Sequence, residues 1–81
     1  MNTNTPTSKT RDIYLAAALL TLGYVLQSVD KRDSKHQEFI FEISPTTLKS
    51  IELEYANERL VVNLAHLKNA LQRMKSIIHN L

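Results

Sequence analysis

At Ile43-Ser44-Pro45 the side-chain period of the chain changes, and that change commits it to a mixed fold. Ahead of it, Phe39, Phe41 and Ile43 alternate with Glu38, Ile40 and Glu42. Side chains alternate across a strand, so this run predicts a strand over residues 37–43 with one apolar face and one wetter face. Such one-sided alternation belongs to an antiparallel sheet covered on one side only. Behind it, Ser44 suits a helix N-cap and Pro45 the first helical position, where the missing N–H costs nothing. The helix that follows runs to about residue 56 and turns Leu48, Ile51 and Tyr55 to one face. A strand feeding directly into a helix excludes both an all-α and an all-β domain.

The remaining elements fit around this junction. Residues 11–22 read as a first helix, capped by Thr10 and apolar nearly all round, so buried on most sides. Gly23 suits the left-handed position after its last turn. Residues 24–29 read as a strand, joined to the next by the polar loop of residues 30–36. Asn57 and Glu58 make a turn. The β-branched run Leu60-Val61-Val62 predicts a brief third strand, and Asn63 caps a last helix that reaches about residue 79. That helix carries a regular seam of Leu64, Leu67, Leu71, Met74, Ile78 and Leu81, widened by Ala70 and Ile77. The fold class expected is α+β: a two-layer domain, with a small antiparallel sheet of two strands plus a short third covered on one face by three helices. The order is helix, strand, strand, helix, short strand, helix. Residues 1–9, rich in Thr and Asn, are expected to form a disordered tail before a single domain at residues 10–81.

Composition narrows the chemistry. No cysteine is present, so there is no disulfide and no thiolate metal site, and a reducing, cytoplasmic setting is expected. The most apolar stretch, residues 13–26, falls short of the roughly twenty residues of a membrane span. A secretory leader is a poor fit, because Asp12 interrupts the basic end and no small-residue cleavage site follows Leu26. The single glycine excludes a phosphate-binding glycine loop or a dinucleotide fingerprint. His66 and His79 are too far apart in sequence to share a helix face as metal ligands. Glu38 and Glu42 share a strand face but lie about 13 Å apart, beyond the reach of a glycosidase pair. With no nucleophile elbow either, no catalytic, cofactor-binding or metal residue is assigned, and no small-molecule substrate is evident.

Several groups of residues together resemble a known family. They are the opening Asp12-Ile13-Tyr14-Leu15-Ala16-Ala17 with Leu20 and Gly23-Tyr24, then Phe39-Ile40-Phe41-Glu42, Tyr55 with Asn57, Val62, and the closing run from Leu71 to Lys75. The chain is similar over about residues 10–79 to the small bacterial and phage domain catalogued as domain of unknown function 5659. The resemblance implies a compact stand-alone domain, often in mobile-element contexts. It implies no reaction, cofactor or site. The loop between the first two strands is longer here than in the family pattern, so its tip is not covered by the resemblance.

What remains is a binding role. Charge is unevenly spread: residues 36–58 set Lys49 against five glutamates, whereas residues 59–81 carry four bases and no acid. Attraction between these segments within the fold is the simplest account. On the last helix Lys68, Gln72, Lys75 and His79 fall on one arc beside the apolar seam, and the loop tip adds Lys31, Arg32 and Lys35. The reading is a non-catalytic accessory protein acting through protein contact or self-association as a homodimer, with no membrane partner. The alternative is a weak, sequence-tolerant nucleic-acid binder whose surface joins the loop tip to the helix flank.

Overall fold

A computed structural model describes residues 5–32 and 36–80. The elements run β1 (Ser8–Thr10), α1 (Ile13–Thr21), β2 (Leu26–Asp30), β3 (Glu38–Phe41), α2 (Pro45–Ala56) and α3 (Leu64–Asn80). The three strands form one antiparallel sheet in the order β1-β3-β2. The fold is α+β, with three helices and a small open sheet.

The strand that most shapes the sequence is also the central one. In β3, Phe39 and Phe41 turn inward and are buried, with Ile43 just beyond them, while Glu38 and Glu42 are only half-buried. The expected alternation therefore holds in register. Thr10 and Val29 flank Phe39 on the covered face, and Lys9 and Ser28 flank Ile40 on the open one. A bulge at Gln27 adds one residue to β2, so Leu26 pairs with Phe41 while Ser28 pairs with Ile40. Against the covered face pack Leu15, Ala16, Ala17 and Leu19 of α1, Leu48 and Ile51 of α2, and Ala70 and Met74 of α3. The alanines of α1 let α3 approach closely.

Four expectations need correction. The sequence places the third strand at residues 60–62, but the structure builds it from Ser8–Thr10, and residues 60–62 join no ladder among the described residues. The open edge of β3 is reached first by the chain entering α1, so the β-branched run has no edge left beside β3. Ser8 and Lys9, assigned to the tail, accordingly belong to the sheet, and the Ser8 hydroxyl donates to the Ile43 carbonyl at 3.0 Å. The α1 cap is Asp12, not Thr10: the Asp12 carboxylate accepts from the N–H groups of Tyr14 at 2.9 Å and Leu15 at 3.3 Å. Thr10 is committed to β1, and its hydroxyl accepts from the Asp12 N–H instead. Finally, Tyr55 is 39% exposed rather than buried, because α2 extends past the core at that end.

Both short helices end in the same way. After α1, Tyr24 N–H donates to Leu19 C=O and Gly23 N–H to Leu20 C=O, with Gly23 at φ 98°. After α2, Arg59 N–H donates to Glu54 C=O and Glu58 N–H to Tyr55 C=O, with Glu58 at φ 59°. This double closure reverses the chain at each helix end. Ser44 caps α2 as its sequence predicts, its hydroxyl accepting from Thr47 N–H at 3.1 Å. No helix among the described residues is long and apolar enough to cross a membrane.

Candidate functional site

The site residues on α3 are held by a helix with a firm start. The Asn63 side-chain carbonyl accepts from His66 N–H at 3.0 Å, fixing the first turn. Ala70 and Met74 are then buried against α1, which sets the rotation of the whole helix. That rotation leaves one flank of the seam open. Leu64 is 79% exposed, Leu67 and Leu71 are half-buried, and with Lys68, Gln72 and Lys75 they line a groove of about 400 Å³. The apolar seam is thus core only along part of its width, and Leu81 lies outside the described residues. Length limits the cover further: α1 has nine residues and α3 seventeen. At 1.5 Å per residue, α1 spans about 13 Å and α3 about 25 Å, so α1 cannot cover α3 from end to end.

A second cleft adjoins the groove. Tyr14, Ala18, Tyr55, Leu60, Val62 and Leu67 enclose about 220 Å³ between α1, the end of α2 and α3. Leu67 belongs to both depressions, so an apolar strip runs from the tyrosines to Leu71. Partial burial raises the Tyr55 hydroxyl above its usual titration range, and the Asp12 carboxylate beside it adds to the rise. Tyr55 therefore stays neutral, and both tyrosines offer a polar tip on an apolar body, which suits a contact surface. Sequence reasoning missed Tyr14 and the exposure of Leu64. The available signal was one of length: the helix read at residues 11–22 is shorter than the one from Asn63 to about residue 79, so the long seam outruns its cover.

The loop residues do not join this surface as free cations. The Lys31 ammonium donates to the Ile78 carbonyl at 2.6 Å, where the exposed carbonyl end of α3 attracts a positive charge. Arg32 closes back on Asp30, with a 2.7 Å contact between guanidinium and carboxylate. That pairing holds the Asp30 carboxyl down at about 2. Lys35 lies outside the described residues. His79 is exposed on the last turn of α3. Of the seven candidates, Lys68, Gln72 and Lys75 share one groove, Lys31 sits at the end of the same helix, and Arg32 is paired with Asp30.

Charge pairing takes an unexpected form. The ion pairs among the described residues are Lys9–Glu38 at 3.6 Å, Arg11–Glu38 at 3.3 Å and Arg32–Asp30, all reaching the open face of the sheet. None joins the glutamates of α2 to the bases of α3, so the asymmetry is not drawn together as ion pairs among the described residues. Among the described residues no buried side-chain nitrogen or oxygen lacks a partner, and no group of three or more metal-ligating side chains forms.

Comparison with known proteins adds one result. Neither the curated proteins nor the solved structures contain a match to the chain. A family model described as a domain of unknown function, DUF5659, matches residues 6–80, from just ahead of β1 to the last turn of α3. The chain belongs to the DUF5659 family.

Proposed function

We propose that this domain is a non-catalytic binding module that contacts another protein chain through the exposed flank of α3. One observation carries the reading: Leu64, 79% exposed, stands beside Leu67 and Leu71 in a groove rimmed by Lys68 and Lys75. Single exposed leucines are ordinary, but a contiguous apolar strip with a charged rim has the anatomy of a protein interface. Occupancy of the strip would remove apolar surface from water, and the rim would select partners by charge.

The test is a photo-crosslinking amino acid at position 64, in cells that express the chain. Leu64 makes little contact with the core, so the substitution leaves the fold intact. A discrete covalent adduct that disappears with Lys68→Glu plus Lys75→Glu supports the reading. No adduct at position 64, or only those that a probe at an exposed position outside the groove gives equally, overturns it.

A further inference from the structure

We infer that the partner on this face is a second copy of the chain, docked about a two-fold axis so that the acidic end of each α2 meets the basic flank of the other's α3. The inference rests on the α3 flank being a protein-contact surface, and it names the occupant. Charge complementarity carries it. Glu52 and Glu54 are exposed on α2 and Glu58 just beyond its end, and α3 presents exposed Lys68 and Lys75 with no acid anywhere along it. Among the described residues neither set makes an ion pair. Opposite exposed charges that find no ion-pair partner within one molecule can meet across an interface between identical copies.

Their placement fits the symmetry. Tyr55 of α2 and Leu67 of α3 line the same cleft, so the end of α2 and the basic flank of α3 meet at one apolar strip. A two-fold axis through such a strip turns each acidic half onto the partner's basic half, and every contact occurs twice. The apolar strip supplies affinity, while the charges fix register and exclude a rotated pairing. A standard interface takes about 800 Å² from each partner. The chain exposes 5875 Å², so that demand is modest.

Sedimentation of the wild type and two charge-reversed chains tests this. One variant carries Lys68→Glu and Lys75→Glu, and the other Glu52→Lys, Glu54→Lys and Glu58→Lys. The wild type is expected to move from one chain mass of 9.3 kDa to twice that mass over the micromolar range. Each variant alone places like charges opposite each other and should dimerise about a hundredfold more weakly or worse. Mixed in equal amounts, the two variants restore opposite charges at both contacts and should recover the dimer. That recovery also shows that each variant is folded. A wild type that stays at one chain mass up to hundreds of micromolar overturns the second copy as occupant. A dimer unaffected by either variant, or variants that fail to rescue each other, overturns the α2–α3 contact. The crosslink at position 64 reports separately: an adduct of another mass beside a monomeric wild type leaves the binding face standing and removes only self-association.

Discussion

Glu58 holds a backbone conformation that glycine holds without strain. Its φ of 59° places an L-residue in the left-handed region, where Cβ crowds the following carbonyl. It also sets a negative charge at the carbonyl end of α2, which the helix dipole opposes. Glu58→Gly relieves both, against a smaller loss from the added freedom of the unfolded chain. A net gain of about 0.5–1 kcal/mol is expected, read as a higher denaturant midpoint. A lower midpoint would mean that the Glu58 side chain makes a stabilising contact larger than the strain. At the end of β2, Arg32 lowers the Asp30 carboxyl from 3.8 to about 2, first through its side-chain hydrogen bonds and then through its backbone N–H. A carboxyl with a lowered folded pKa stabilises the fold above its unfolded value and loses that contribution as pH falls through the folded one. Stability from Asp30 is therefore complete above pH 3.8 and disappears as pH drops past about 2. Melting curves across this window should fall more steeply for the wild type than for Asp30→Asn. Parallel curves would show that the pair gives no differential stabilisation.

Among the elements, legibility followed from how each one is held. The junction of β3 and α2 could be read almost to the residue, because both its period and its cap are written in side chains. Packing also decided Phe39, Phe41 and Ile43. β1 could not be read: an edge strand of three residues is held mainly by backbone hydrogen bonds, which leave little mark in Ser8-Lys9-Thr10. The converse error at residues 60–62 has the same root, since β-branched residues favour a pleated, half-buried surface but do not create one. Deleting residues 1–10 should expose the edge of β3 and remove the α1 entry turn. At about 1 kcal/mol for each hydrogen bond lost, the cost is roughly 2–4 kcal/mol. That is enough to lower the melting temperature by about 10 °C or more in a domain of this size. An unchanged melting temperature would make β1 an ornament of the sheet. Phe41→Ala, by contrast, opens a cavity under all three helices and should cost about 3–5 kcal/mol, comparable to the total stability of a small domain.

At the scale of the whole molecule, the sequence shows the charge separation and the composition of the α3 flank but not what becomes of the loop cations. Their fate depends on where the β2–β3 connection meets the helix end, a tertiary fact with no local signature. It also separates the protein-contact reading from a nucleic-acid one. A surface made of Lys31, Arg32, Lys35, Lys68 and Lys75 would release four or five counterions from a DNA duplex and give a log–log salt slope of about −4. In the folded chain, Lys31 serves the carbonyl end of α3 and Arg32 is closed on Asp30. Lys68 and Lys75 remain as the pair facing one groove, set about 10 Å apart along the helix. Two phosphate contacts give a slope of about −2 and very little affinity at physiological salt. Fluorescence anisotropy with a labelled duplex should therefore show no saturable binding even at about 50 mM salt. Saturable binding with a slope near −4, lost in Lys68→Glu plus Lys75→Glu, would mean that the loop cations leave their partners to join the flank. The groove would then be a phosphate-binding surface rather than a protein-contact one.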